Sequence, residues 1–455
     1  MDPKKSRARL STTRIIMLSF FAAILLGSVL LSLPISSADG QGIPYVDALF
    51  TATTATCVTG LVTVPTYSAW SVFGQVIILV LIQVGGLGII TVTAGIIYLL
   101  RRRASLSDRL LFRDAFNLNT MDGQSRFVRN VILGTFAVEG IGALLYMTVF
   151  IPEMGARGVW VSIFNAISAF CNAGMDIIGE SSLMNYAANP VVNGVTSFLV
   201  IVGGLGYVVW WDLIDSLRRC FKRRSLRGFS SLSLHSKMAL TSTAVLLLGG
   251  CLGILVLEYR NPLTIGDMPF LHKLQAAFFQ SVTTRTAGFA TVDQAGLTTG
   301  GTMLSILLMF VGGSPVGTAG GVKTVTVMVL FASAVNTVRN RDEVSLFHRR
   351  LERDDIRKAI AVVFMSFTIT AVSTLLLAAT QDAPLDAILY ETVSGTATVG
   401  LSKNLTPHLN TAGKLIMTAT MYLGRIGPIS LAFAFTHKKS NPNIITNPTE
   451  SVNVG

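Results

Sequence analysis

The sequence predicts an all-α integral membrane protein in which four tandem M1-P-M2 units, each a helix, a re-entrant pore loop and a second helix, surround one pseudo-fourfold pore. Three observations support this fold class. The composition is 51% hydrophobic and only 13% charged, whereas a soluble domain usually has about 25% charged residues. Apolar stretches long enough to span a bilayer recur along the chain. A glycine-containing motif also returns at nearly constant intervals, which is typical of an internal repeat.

The repeated motif is clearest in residues 394–401, Ser-Gly-Thr-Ala-Thr-Val-Gly-Leu. These residues are too rich in Gly and Thr to continue a helix well, so we expect the pore helix to end at Val393 and an extended backbone to follow. Counting back from Gly400 by 112, 114 and 114 residues leads to Gly288, Gly174 and Gly60. Ten residues before each glycine stands an aromatic residue: Phe50, Phe164, Phe278 and Tyr390. The alternative is four unrelated turns, but the shared spacing, aromatic residue and glycine favour a repeat.

Each unit is predicted to contain an outgoing membrane helix, a re-entrant pore helix and a returning membrane helix. The outgoing helices are predicted at 15–33, 127–150, 236–257 and 359–379. The pore helices are predicted at 45–55, 160–170, 271–284 and 385–393, and the returning helices at 75–100, 191–217, 302–338 and 413–435. The units themselves are predicted at 1–103, 104–224, 225–347 and 348–455, and we expect the tail after Ser440 to be disordered.

The distribution of charge predicts the orientation of the chain in the membrane. Net charge is +12, and most of the Lys and Arg residues fall between units or at the chain ends: Lys4 to Arg14, Arg101 to Arg129, Arg218 to Lys237, Arg339 to Lys358, and Lys438-Lys439. The positive-inside rule places these segments and both termini in the cytoplasm of a multi-pass plasma-membrane protein. The opposite loops carry acidic residues that would form an acidic outer mouth: Asp39, Glu153, Glu180, Glu258, Asp267 and Asp382. Because the basic runs flank spanning helices, membrane lipid explains them better than nucleic acid.

Small and hydroxylated residues before a glycine suit a cation filter, in which backbone carbonyl oxygens replace the hydration shell of potassium. With this motif in four copies and Arg425 in the last membrane helix, the chain resembles the Trk/Ktr/HKT superfamily over nearly its whole length. Its eight predicted spanning helices, without an additional N-terminal pair, are similar to the Ktr-type potassium-translocating subunit. One departure is that only the fourth filter approaches Thr-Val-Gly.

This resemblance implies potassium uptake through a channel-like filter, gated by an intramembrane loop and a cytosolic regulatory subunit. It also implies that two copies of this chain form a homodimer on a cytosolic ring-forming regulator. The nucleotide is then expected to bind to the regulator, and no cofactor is expected in this chain. The filter carbonyls would come from Val58, Thr59, Gly60, Asn172, Ala173, Gly174, Thr286, Ala287, Gly288, Thr398, Val399 and Gly400. Inner sites would come from the preceding residues, Thr56, Cys57, Phe170, Cys171, Thr284, Arg285, Thr396 and Ala397.

A glycine-rich stretch in the third returning helix is the candidate gate. Five Gly and one Pro within ten residues must interrupt the helix. The stretch consists of Gly312, Gly313, Ser314, Pro315, Val316, Gly317, Thr318, Ala319, Gly320 and Gly321. The equivalent positions of the first two units, residues 85–88 and 203–206, favour close helix packing by small residues instead.

Charged residues near membrane depth require a partner or water. We expect Arg285 to point behind the filter and pair with Glu391, and Arg425 to help hold the gate closed. Glu139 either pairs with Arg425 or faces a neighbouring helix. Lys323 either extends toward the cytosol or joins the gate.

An enzyme is a poor alternative, because the five His are scattered and no Walker, Rossmann or metal-ligand spacing occurs. The four Cys fit no metal site, and their thiols are expected to be inert. The serious alternative is a sodium- or proton-coupled symporter, and a membrane scaffold without transport is the third. Phe112 and Phe347 lie in basic loops whose apolar positions suit docking of the regulator, although attraction to lipid is also open.

Overall fold

The computed structural model describes residues 12–88, 91, 124–223, 231–341 and 343–427. Within these ranges the chain is predominantly helical, and the order of long helix, buried short helix, loop and further helix occurs four times. Short 3-10 turns, at Pro34–Ser36, Met184–Tyr186 and Thr406–His408, lie in the connections. Phe112, most of the first basic loop, and the tail after Ser440 lie outside the described residues.

The outgoing helices are long, apolar and mostly exposed. In the apolar 18-residue window of each helix, only 22% to 33% of the residues are buried. Most of these apolar side chains therefore face outward, where a bilayer rather than water suits them. Each is long enough to cross a membrane. They are α1 Thr12–Leu31, α5 Gln124–Met154, α9 Leu234–Glu258 and α13 Arg353–Thr380.

The pore helices are buried inside this shell. They are α2 Tyr45–Cys57, α6 Ala156–Cys171, α10 Phe270–Thr283 and α14 Leu385–Ala397. The prediction that the fourth ends at Val393 is wrong, since the helix runs through Ser394 and Gly395. Gly395 is buried in this helix, and its nearest neighbour is the methyl group at the flexible end of Met417. Tertiary contact thus overrides a weak helix propensity.

In the first, second and fourth units, the returning helix reaches the end of a pore helix, where its glycines lie against pore-helix carbonyls. The predicted continuation of the first returning helix to residue 100 lies, apart from residues 88 and 91, outside the described residues. The first runs over α4 Val72–Leu87, preceded by the one-turn helix α3 Thr66–Ala69. The fourth is α15 Thr411–Ile426, and its predicted extension to Phe435 lies outside the described residues. In the second unit, α7 Pro190–Leu205 and α8 Tyr207–Arg223 replace the predicted continuous helix and meet at 98°. Gly206 has φ +86°, a left-handed conformation that only glycine adopts cheaply.

The third returning helix is interrupted, as its glycines and proline predict. α11 Thr299–Phe310 and α12 Thr324–Val338 are separated by residues 311–323, called here the intramembrane loop. Its two ends meet: the Gly312 N–H donates to the Val322 carbonyl at 3.0 Å, and the Val322 N–H donates to the Phe310 carbonyl at 3.2 Å. Backbone hydrogen bonds therefore hold the two ends of the loop together between α11 and α12.

A small hairpin follows α12. Strands β1 Ser345–Leu346 and β2 Arg349–Arg350 pair antiparallel. The side chain of Phe347 packs against the cluster around Val329 of α12 and Ala359 of α13, so the residue predicted to dock a partner belongs partly to the protein's own core.

Candidate cation filter and gate

Each pore helix ends in a turn that redirects the backbone toward the centre. Two residues before each unit glycine, the backbone is left-handed even though no glycine is present, with φ of 55° at Val58, 60° at Asn172, 69° at Thr286 and 52° at Thr398. In the first unit this turn is closed by the Thr59 N–H, which donates to the Thr54 carbonyl at 2.8 Å. Backbone strain of this kind persists only where the surroundings impose it and is concentrated at functional sites.

The four unit glycines close a ring in chain order. Their φ angles lie between +67° and +99°, and their backbones approach one another closely. A Cβ added to Gly60 or Gly288 would lie 2.5 Å from a carbonyl oxygen of the next unit. Each glycine lies against the carbonyl of the residue before the next glycine: Gly60 against Ala173, Gly174 against Ala287, Gly288 against Val399, and Gly400 against Thr59. Segments distant in sequence thus surround one axis.

The chemistry of this ring is that of backbone oxygens and hydroxyl groups. Among the described residues, no group of three or more His, Cys, Asp or Glu is placed to hold a metal ion. Among the residues that the structure describes, none forms a hydrogen bond with the buried hydroxyls of Thr59, Thr286 and Thr398. Neutral oxygens of this type suit an alkali cation that must be bound and then released.

A cavity of about 250 Å³ opens on the side of the ring where the chain continues beyond each filter glycine, and all four glycines line it. Asp176, Glu180 and Asp293 line it. Burial raises the pKa of the Asp176 carboxyl to about 6, although Ser182 opposes that shift by hydrogen bonding. Of the acidic residues predicted for the outer mouth, Glu180 lines this cavity. The sequence argument missed Asp176 and Asp293, although each closely follows a filter glycine.

Glu258, another acidic residue expected at the outer mouth, is not among the residues that line this cavity. Its buried carboxylate accepts hydrogen bonds from Asn261 at 2.6 Å, from the Thr264 hydroxyl at 2.8 Å and from the Thr298 hydroxyl at 2.6 Å. These bonds join the end of α9 to the start of α11, because a buried carboxylate requires donors.

Paired glycines of the returning helices contact the inner ends of the pore helices. The carbonyls of Thr56, Phe170 and Thr396 lie so close to Gly85, Gly203 and Gly424 that an added Cβ would collide with them. Gly86 similarly lies against Cys171. Close packing by small residues is therefore confirmed at Gly85, Gly86 and Gly203, but the same two stretches also end a helix, at Gly88 and at Gly206.

The intramembrane loop lies directly against the inner side of the ring. The Thr318 hydroxyl donates to the Phe170 carbonyl and to Asn172 Oδ1, each at 3.0 Å. A Cβ at Gly320 would lie 2.8 Å from the Ala397 carbonyl oxygen. The loop thus contacts the second and fourth filter segments at once.

The intramembrane loop is hydrogen-bonded to the backbone at the bend between α7 and α8. The carbonyls of Gly203 and Gly204 accept from the N–H groups of Thr318 at 3.1 Å and Ser314 at 2.9 Å, and the Tyr207 N–H donates to the Val316 carbonyl at 3.1 Å. In a continuous helix, Tyr207 would bond to Gly203 instead. The loop therefore supplies partners that the broken helix lacks.

Arg425 joins the loop to the first unit. Its guanidinium donates to the Thr318 carbonyl at 2.7 Å and to the Gly85 carbonyl at 2.6 Å. Lys323 turns back on the loop and donates to the Ala319 carbonyl at 2.5 Å. Glu139 faces a helix neighbour, Gln83 of α4, whose amide donates to both carboxylate oxygens at 3.1 and 3.2 Å. Of the two alternatives for Glu139, the structure has the second.

The predicted pair between Arg285 and Glu391 is wrong. Arg285 donates to the backbone carbonyls of Thr243 at 3.2 Å and Gly312 at 2.9 Å. Glu391 instead accepts from the hydroxyls of Ser402 and Thr406, each at 2.6 Å. The guanidinium of Arg285 thus donates its hydrogen bonds to backbone carbonyls. A sequence does not show which carbonyls will lack a partner within a helix and remain free to accept them.

Comparison with known proteins yields matches along nearly the whole chain. The sequence profile of the TrkH family, described as cation transport proteins, matches residues 4–445. The chain is 39% identical over 437 residues to the Ktr system potassium uptake protein B of Bacillus subtilis, covering 96% of this chain and 95% of that protein. It is 36% identical over 458 residues to the potassium/sodium uptake protein NtpJ of Enterococcus hirae, covering 99% of each. The crystal structure of the potassium transporter TrkH from Vibrio parahaemolyticus matches with a TM-score of 0.74 at 16% identity, covering 95% of this chain and 86% of that one; this likeness concerns the fold.

Proposed function

Because the chain belongs to the TrkH family of cation transport proteins, we propose that it carries potassium into the cell through the ring formed by its four filter loops. The family consists of transporters rather than enzymes. The observation that carries the proposal is the closure of the ring in chain order, with each unit glycine against the carbonyl of the next unit. Both bacterial relatives described above are named as potassium uptake proteins, one of them as a potassium/sodium uptake protein.

The filter works by exchanging the hydration shell of potassium for protein oxygens. An ion concentrates in the acidic outer cavity and then enters the ring, where the carbonyls of residues 58–60, 172–174, 286–288 and 398–400 coordinate it. The positions just inside the ring, 56–57, 170–171, 284–285 and 396–397, form the inner sites. The returning helices support them, since the paired glycines lie against their backbone.

The intramembrane loop is the gate. It lies below the ring and is held there by Thr318, Arg425 and the open end of α7. Opening requires the loop to leave the pore axis, so the N–H groups of Ser314 and Thr318 must give up their carbonyl partners. The positive charge of Arg425 also disfavours a potassium ion below the filter while the loop is in place.

A cytosolic regulator moves the gate through the helices on either side of the loop. α12 leads from the loop to the hairpin, and α8 is joined to the loop by the bond from Tyr207 to Val316. The regulator is a ring-forming protein that binds nucleotide, on which two copies of this chain assemble. Both termini are cytoplasmic, and the filter opens to the outside.

Uptake by reconstituted protein tests this function. Proteoliposomes that contain the purified chain should accumulate potassium when a potassium gradient is the sole driving force. A requirement for a sodium or proton gradient would favour the symporter, and the Enterococcus relative is the observation that keeps this second candidate open. Absence of flux under every gradient, from folded protein with the loop shortened, would refute both.

A further inference from the structure

The position three residues before each filter glycine distinguishes the third unit from the others. It is occupied by Cys57, Cys171, Arg285 and Ala397. A long charged side chain thus occurs in the unit whose returning helix is interrupted by the intramembrane loop. The two features of this unit are in direct contact.

Arg285 links the backbone of the third filter segment to Gly312, at the start of that loop. Its Nη2 donates to the Gly312 carbonyl at 2.9 Å, and its Nη1 donates to the Thr243 carbonyl of α9 at 3.2 Å. Thr286, the next residue, is held in the left-handed conformation at φ 69° and begins the filter segment. A displacement of Gly312 must therefore either break the bond or move Arg285.

The surroundings of Arg285 make that bond costly to lose. The residue is 7% exposed, and within the part of the chain that the structure describes its hydrogen-bond partners are these two backbone carbonyls. A buried charge at membrane depth that loses a partner is strongly disfavoured. If the bond to Gly312 is lost, the guanidinium keeps only the Thr243 carbonyl among these two partners.

We propose that Arg285 couples the intramembrane loop to the third filter segment, so that a docked loop and bound potassium stabilise each other. The inference rests on the proposed function of the ring and the loop. While Gly312 holds the guanidinium, the carbonyls of residues 286–288 are fixed for ion coordination. When the loop withdraws, the segment relaxes and potassium is released inward. Coupling of this kind is reciprocal between the two sites.

A double-mutant cycle tests the coupling in the full chain. The dissociation constant of potassium is measured by calorimetry for the unmodified protein, a variant that lacks residues 315–318, Arg285→Gln, and the combination. We expect removal of the loop residues to raise the dissociation constant at least about fivefold, at the lower end of typical coupling energies. In the Arg285→Gln background the same deletion should change it by less than about twofold, the range of independent sites.

Arg285→Lys serves as the matched variant, because it keeps the charge while losing the two-pronged geometry. In this variant, deletion of the loop residues should still raise the dissociation constant of potassium, but by less than in the unmodified protein. If Arg285→Gln does not fold, Arg285→Lys replaces it in the double-mutant cycle. If the deletion changed the dissociation constant of potassium equally with and without Arg285, the proposal would be overturned. Arg285 would then have only a structural role. If potassium binds and the deletion raises flux while the cycle is additive, this inference alone fails. If no variant binds or takes up potassium, the proposed function fails with it.

Discussion

The bond between Arg425 and the intramembrane loop offers a sharp test of the gate. The guanidinium donates to Thr318 of the loop at 2.7 Å and to Gly85 of α4 at 2.6 Å. Only the bond to Thr318 must break when the loop leaves the pore. We therefore predict that Arg425→Ala raises potassium flux through the chain in the absence of its regulator.

The expected magnitude follows from that single bond. A hydrogen bond to a charged group contributes about 1.5–3 kcal/mol, and a difference of about 1.4 kcal/mol changes an equilibrium constant tenfold. Removing the bond should therefore raise the ratio of open to closed protein about 10- to 150-fold. Loss of the positive charge below the filter acts in the same direction, because the guanidinium repels potassium.

Uptake of radioactive rubidium or potassium into proteoliposomes measures this effect. Lys414→Gln is the matched control, since it removes a cation from the outer end of the same helix, where Lys414 pairs with Asp47 at 2.6 Å. Deletion of residues 315–318 should reproduce the increase. If both gate variants were folded and inserted yet conducted no faster than the unmodified chain, the gate would lie elsewhere.

Three further predictions concern the filter, the outer cavity and the hairpin. Gly288→Ser should reduce uptake and selectivity over sodium, because its φ of +81° and the Val399 carbonyl 2.5 Å from an added Cβ exclude a side chain; unchanged competition between the two ions would contradict the filter assignment. The Asp176 carboxyl, whose pKa burial raises to about 6, is negative above that pH and neutral below it, so acidification through this range should raise the KM for potassium. Asp176→Asn should abolish that dependence, and a KM that still rises would assign it to another group. Arg349→Glu, at an exposed residue of the hairpin, should weaken pull-down of the cytosolic regulator without the core damage expected of Phe347→Asp; undiminished binding would point to another surface.

Elements set by local chemistry were predictable from the sequence, whereas elements set by distant contacts were not. The long helices and the interruption of the third returning helix follow from apolar length and from the backbone preferences of Gly and Pro, which act locally. The end of α14 was mispredicted because burial of Gly395 against Met417 outweighs its low propensity. The continuous helix across Gly206 was wrong for a related reason. The bend is stabilised by Ser314 and Thr318, which are distant in sequence.

By itself, the sequence determined the membrane class, the helical fold and the positions where four similar loops occur, because hydrophobicity, charge distribution and repeated glycines are properties of the chain. Only the tertiary structure decided which groups the loops and the charged side chains near them contact. Arg285 and Arg425 were recognisable as charges that need partners, yet both bind backbone carbonyls, and every residue has a carbonyl. Which carbonyls are free depends on where helices break and pack, so the partners of a buried charge are decided only when the whole fold is assembled.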